Sequence, residues 1–248
     1  MKNIMFLGDS LTAGNLGASY LKLLEKEESL KGHKLINAGE DGFTMAGLQL
    51  KLEKYLEENN TPDTLVLEGG ANDLLLPHMQ KAGTAWNPFI RKLSRHGSIP
   101  ASSSLEFRAH CSAVLSTALD GGIAQVFVCT ITCLGEDLSS ELNRQREEYN
   151  RILRDLCLEY TNIFFSCICL DASAEIEPIL SESSAGWLFR SPEDLQSDAL
   201  TIMERGEEIL CRERGLLLTI DGAHLNQRGA EILSMFFLKS FRKYSVLL

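Results

Sequence analysis

The chain has 248 residues, a hydrophobic content of 44% and a net charge of -10, which is enough apolar material for one large α/β domain or two small ones. The acidic balance argues against a nucleic-acid footprint, which needs clustered Lys and Arg. Seven cysteines, odd in number and irregular in spacing, read as the reduced thiols of a cytoplasmic protein rather than as a disulfide framework.

Taken in chain order, the apolar run at residues 4–7 stops at Gly8 and is too short for a signal-peptide core, which needs ~7–15 apolar residues. It reads as the first of about five short strands, followed by runs at 35–36, 65–67, 126–128 and 163–165. These runs are continuous rather than alternating, the pattern of parallel strands buried on both faces. Helical patterns lie between them, at 20–30, 46–56, 105–119, 143–160 and 192–212. Ser103 and Glu106 stand at the spacing of a capping box before the third of these, and Asn226 caps a last helix running to about Lys243. The alternation predicts an α/β chain with one doubly wound parallel sheet. No repeat and no flexible linker divides residues 1–248, which read as a single domain with long insertions at about 74–102 and 172–217. Trp86, Phe89, Trp187 and Phe189 in these insertions fit either a lid or pocket wall or plain packing of a surface decoration, and no stretch is long enough to span a bilayer.

Doubly wound sheets bind ligands beyond the carboxyl ends of their strands, so the residues there are informative. Gly8-Asp9-Ser10-Leu11 follows the first strand, Asn37 to Gly42 the second, and Gly69-Gly70-Ala71-Asn72-Asp73 the third. Asp221-Gly222-Ala223-His224 precedes the last helix. Each block suits one part of an acyl-transfer site. A serine hydroxyl such as that of Ser10 needs a base, and neutral imidazole, here His224, serves near pH 7. The imidazole needs a carboxylate to fix its tautomer, and Asp221 stands three residues away. A tetrahedral intermediate needs donors, which the Gly42 N–H and the Asn72 amide can supply. Singly the blocks are weak, since Gly, Asp and Ser are common turn residues. The set of four, in order, is the signal.

Those four blocks resemble the GDSL, or SGNH, hydrolase family, named for its Ser, Gly, Asn and His. The resemblance implies Ser10 as nucleophile, with Asp221 and His224 completing a triad, and an oxyanion hole of the Ser10 N–H, Gly42 and Asn72. It implies a three-layer α/β/α sandwich similar to flavodoxin, acting on a small-molecule ester, with no metal and no organic cofactor. Lipases, thioesterases, arylesterases and carbohydrate deacetylases all share this pattern, so chemistry is specified better than substrate. Where family members commonly carry Pro after the histidine this chain has Leu225, which implies a less stiff backbone beside the base. Asp9, Asn37 and Asp73 read as braces of their turns. The apolar residues Leu74 to Leu76, Met79 and Trp86 favour a small or medium acyl group on an apolar or sugar alcohol.

Two other classes remain open at this level: an acyltransferase using the same triad, and a non-catalytic flavodoxin-like domain holding a small ligand. His33, His78, His96 and His110 lack an Asp at comparable spacing. Cys129, Cys133, Cys167 and Cys169 match no common structural zinc pattern and read as strand thiols. The absence of G-x-S-x-G disfavours an α/β-hydrolase elbow, and the absence of a Walker loop disfavours nucleotide chemistry. Oligomeric state leaves no imprint.

Overall fold

The computed structural model describes residues 1–161, 166–244 and 246. Five strands form one parallel sheet: β1 (Asn3–Gly8), β2 (Lys34–Gly39), β3 (Thr64–Glu68), β4 (Gln125–Cys129) and β5 (Ser166–Leu170). Their spatial order is β2-β1-β3-β4-β5, the doubly wound arrangement expected. The strand expected at 163–165 lies outside the described residues, and the strand beside β4 is the next segment, β5.

Successive side chains of a strand point to opposite faces, and β1 shows the consequence. Met5 and Leu7 join one hydrophobic cluster, while Ile4 and Phe6 join another. Helices cover both faces because apolar side chains emerge from both. In chain order they are α1 (Ser10–Ala13), α2 (Tyr20–Leu24), α3 (Met45–Glu58), α4 (Ala71–Ala82), α5 (Asn87–Arg95), α6 (Ser104–Asp120), α7 (Glu141–Thr161), α8 (Ala172–Leu180), α9 (Pro192–Arg205), α10 (Glu207–Arg214) and α11 (Gln227–Lys243). One cluster joins the sheet to α3, α4, α6 and α7, and the other joins it to α2 and α11. Phe6 anchors the second, edge-on to Phe237 at 6.0 Å and to Phe241 at 6.1 Å. The three-layer α/β/α sandwich follows from this burial.

The two insertions are helical. The 74–102 excursion continues α4 through Pro77 to Ala82 and then supplies α5. The helix expected over 192–212 starts with a capping box, Ser191 with Asp194, and breaks at Gly206, whose φ of 84° ends α9 and starts α10. The helix expected over 20–30 is shorter, with α2 ending at Leu24 and a 3₁₀ turn following at Glu28–Leu30. The spacing at α6 forms half a capping box. Ser103 accepts from the Glu106 N–H, but the Glu106 carboxylate turns to the N–H and hydroxyl of Ser102.

Register decides where chemistry can sit. Gly8 pairs with Gly39 on one side and with Glu68 on the other, and Glu68 pairs with Cys129. The carboxyl ends of four strands are therefore level, and the loops leaving them converge.

Candidate active site

Ser10 is the first residue of α1, directly after Asp9. Its N–H has no acceptor within the helix, as at any helix start. Asp9 caps the turn, with Oδ1 accepting from the Leu11 N–H at 3.1 Å. Ser10 Oγ stands 3.1 Å from His224 Nε2. On the far side of the imidazole, Nδ1 stands 2.6 Å from Asp221 Oδ2. The other oxygen, Asp221 Oδ1, accepts the backbone N–H groups of His224 at 2.8 Å and Ala223 at 3.0 Å. Both rings of contact are local, because three residues fit within one tight turn closed by Ile220 N–H to the His224 carbonyl.

Burial alone would depress the His224 pKa, but the Asp221 carboxylate outweighs it and the net shift is upward. Burial alone would raise Asp221, and the imidazole with the two backbone donors outweighs it, holding the acid below its ordinary range. The pair thus favours an ionised carboxylate behind a strengthened base. Leu225 follows the imidazole where the resemblance expects Pro. Its side chain is buried in the core cluster, and its carbonyl accepts the Ala18 N–H at 2.8 Å.

Gly42 has φ of 79°, and a Cβ there would lie 2.7 Å from Leu93 Cδ1 and 2.9 Å from Phe89 Cζ. Both conformation and space demand glycine. Ser98 pins this turn by donating to the Gly42 carbonyl and accepting from the Thr44 N–H. Asn72, the second residue of α4, donates one amide hydrogen to the Phe43 carbonyl at 3.0 Å, leaving its other hydrogen for a ligand. Asp73 accepts from Met45 N–H at 2.9 Å and Ala101 N–H at 3.0 Å, tying α3 and the 98–101 segment to α4. Burial raises its pKa to about 7. Asn37 accepts from Gly39 N–H and donates to the Ala13 carbonyl, linking β2 to α1.

Ser10, Gly42, Asn72 and His224 line one cavity of ≈170 Å³, walled also by Leu75, Met79, Trp86, Phe89, Phe189 and Leu195. Three of the four aromatic residues in the insertions are here. Trp187 instead stacks on Arg214, 4.2 Å from ring centroid to guanidinium. His78 lines a separate cavity with Lys81 and Tyr149. Among the described residues, no three His, Cys, Asp or Glu side chains are grouped to hold a metal.

Several residues at the site carry no local sequence signature. Glu68, the last residue of β3, is buried beside Asp9, and Asp9 Oδ2 meets no other donor among the described residues. Burial, reinforced at Asp9 by the Glu68 charge, pushes both carboxyls up. Two buried neighbouring carboxyls cannot both ionise cheaply. Thr12 Oγ1 donates to Glu68 Oε2 at 2.8 Å and also meets Tyr20 Oη at 2.8 Å. Glu136 is fully buried and accepts from Leu217, Leu218 and Thr219 N–H groups and the Thr219 hydroxyl. Arg214 grips Asp198 with both terminal nitrogens and donates to the Ile220 carbonyl. Gly222, with φ of 88°, faces the Trp187 carbonyl where a Cβ would approach to 2.2 Å. These contacts clamp the Asp221 turn from outside.

The sequence profile of the GDSL-like lipase/acylhydrolase family matches residues 6–232. No curated protein matches the chain significantly. Among solved structures, an acetyl xylan esterase, AlAXEase, is similar at 22% identity and a TM-score of 0.62, with 96% of this chain and 98% of that chain covered. A member of the lipolytic G-D-S-L family from Veillonella parvula is similar at 16% identity and a TM-score of 0.62, covering 97% and 98%. Axe2, an acetylxylan esterase from Geobacillus stearothermophilus, is similar at 17% identity and a TM-score of 0.60, covering 96% and 93%. At these identities the likeness is one of fold.

Proposed function

The chain belongs to the GDSL-like lipase/acylhydrolase family, and from that premise we propose that it hydrolyses carboxylic esters through an acyl-enzyme on Ser10. Ser10 Oγ attacks the ester carbonyl while His224 Nε2 takes its proton. The negative charge that develops on the carbonyl oxygen is met by the Ser10 N–H, the Gly42 N–H and the free amide hydrogen of Asn72. The C–O bond to the alcohol then breaks, and the imidazolium returns its proton to the departing alkoxide. Water repeats the cycle, giving the acid and free Ser10. Asp221 holds the tautomer and stabilises the imidazolium without itself being protonated.

One observation carries this reading: a continuous chain of contacts, Asp221 Oδ2 to His224 Nδ1 at 2.6 Å and His224 Nε2 to Ser10 Oγ at 3.1 Å. A binding domain has no need of such an arrangement. We read residues 1–248 as one domain whose insertions form the pocket wall. Among the described residues no helix is long and apolar enough to cross a membrane. The odd count of seven cysteines, five of them buried, supports a reducing compartment such as the cytoplasm.

Covalent labelling by a fluorophosphonate tests the nucleophile. The wild-type chain should be labelled at Ser10, and Ser10→Ala should lose both labelling and ester turnover, the latter by ~10⁴-fold or more. Retention of most turnover by Ser10→Ala sinks the proposal.

A further inference from the structure

The cavity beside Ser10 is larger and more apolar than an acetyl group requires. We propose, resting on the acyl-enzyme reading above, that it is an acyl pocket for unbranched or branched acyl groups of about four to six carbons, a size set by comparison with a ~150 Å³ apolar cavity that holds one benzene. Its volume is ≈170 Å³, and its walls come from α4 (Leu75, Met79), α5 (Phe89), α9 (Leu195) and the segments holding Trp86 and Phe189. A single methyl group would leave most of that wall without contact, and a close-packed interior loses dispersion energy wherever a gap persists.

The occupant is the acyl group rather than the alcohol for two reasons. The acyl group stays bonded to Ser10 through both half-reactions, whereas the alcohol must take a proton from His224 Nε2 and leave. A polar alcohol such as a sugar would also find few partners among these walls. Beyond Ser10, Gly42, Asn72 and His224 the polar lining is the exposed Asp41, whose Oδ2 already accepts from Asn15 Nδ2 at 2.9 Å. The indole Nε1–H of Trp86 is already committed to the Arg190 carbonyl at 2.8 Å. Trp86 is buried and packs edge-on against Phe89 at 6.0 Å and Phe189 at 5.7 Å. Phe189 in turn lies 6.0 Å from the His224 ring. The aromatic wall therefore reaches from α5 to the base.

Gly42 shares its close contacts with this wall, since Leu93 and Phe89 both lie where its Cβ would be. One helix, α5, thus sets pocket width and the oxyanion turn together. Phe89 and Leu195 are half-buried, so either can change size without opening the core.

The test is a series of 4-nitrophenyl esters from acetate to decanoate, with a parallel series of butyrates on alcohols of increasing size. Burial of each methylene should raise kcat/KM by roughly fourfold until the pocket is full, so the rate should peak at about four to six carbons and fall by decanoate. Phe89→Ala should move the peak to longer acyl groups. Leu195→Trp should move it toward acetate, and fluorophosphonate labelling of Ser10 in that variant shows the fold and the nucleophile intact. Fastest turnover of acetate by a wild-type enzyme whose Ser10 a fluorophosphonate labels in a separate sample overturns the inference and leaves the acyl-enzyme reading standing. Dependence on alcohol size with indifference to acyl length overturns it equally. Absence of both labelling and turnover overturns it together with the reading on which it rests.

Discussion

At Ser10 and His224 the geometry makes a statement about pH. The Asp221 carboxylate outweighs burial and raises the His224 pKa above the ordinary 6.5. A base must be neutral to accept a proton, so kcat/KM should rise with pH through a midpoint above 6.5, the ordinary imidazole value, as His224 loses its proton. A pH-rate profile on a neutral ester measures that midpoint, and one at or below 6.5 contradicts the raised base. Asp221→Asn removes the charge and the correct tautomer, and should lower kcat by about 10⁴-fold. Asn72→Ala should lower kcat by about 10²–10³-fold with KM little changed, because its donor strengthens only as charge develops. A change confined to KM would assign Asn72 to substrate binding instead.

At the scale of elements, the Asp221 turn depends on two clamps distant in sequence. Glu136 satisfies four donors on residues 217–219. Glu136→Gln keeps one oxygen for the Leu218 and Thr219 donors but turns an NH2 group on the Leu217 N–H. It also removes the buried charge that all four donors meet, and should cost about 2–4 kcal/mol of stability. Its thermal or urea midpoint reads this loss, and an unchanged midpoint removes Glu136 from the account. Arg214→Lys loses the fork that reaches Asp198 and the Ile220 carbonyl together. It should reduce kcat more than KM, since the turn that orients His224 is loosened. Neither clamp was legible in the sequence, because each joins segments separated by a long stretch of chain and leaves no periodicity or spacing. The Asp9–Glu68 pair was hidden for the same reason, since the parallel register that sets Gly8 beside Glu68 cannot be read from apolar runs alone. What was legible is what lies locally in the chain: strand runs, the Asn226 cap, the three-residue step from Asp221 to His224, and glycines at the strand ends. The break at Gly206 was missed, because the continuous amphipathic pattern around it masked a glycine inside a helical pattern.

For the whole molecule, stability and activity should pull in opposite directions with pH. Asp73 is buried and its pKa is raised from 3.8 to about 7. Between those two values the folded chain keeps a proton that the unfolded chain has lost, so stability falls as pH rises, by up to about 1.4 kcal/mol per unit for one such group. Asp9 and Glu68, also raised by burial, add to the same trend. So does His224, whose contribution is complete below its unfolded value of 6.5 and is lost as pH climbs through its raised folded value. Asp221 and Asp171 are lowered and oppose the trend only on the acid side, where their stabilisation is lost as pH falls through their folded values. The melting temperature should therefore be highest on the acid side of neutrality and fall toward pH 8, while turnover still rises. Asp73→Asn separates the causes. Its amide cannot accept from both Met45 and Ala101, so the variant should be less stable throughout, but the decline between pH 5 and 8 should flatten. A melting temperature that is level across that interval, or a slope unchanged in Asp73→Asn, would assign the buried carboxyls no part in the pH dependence of folding.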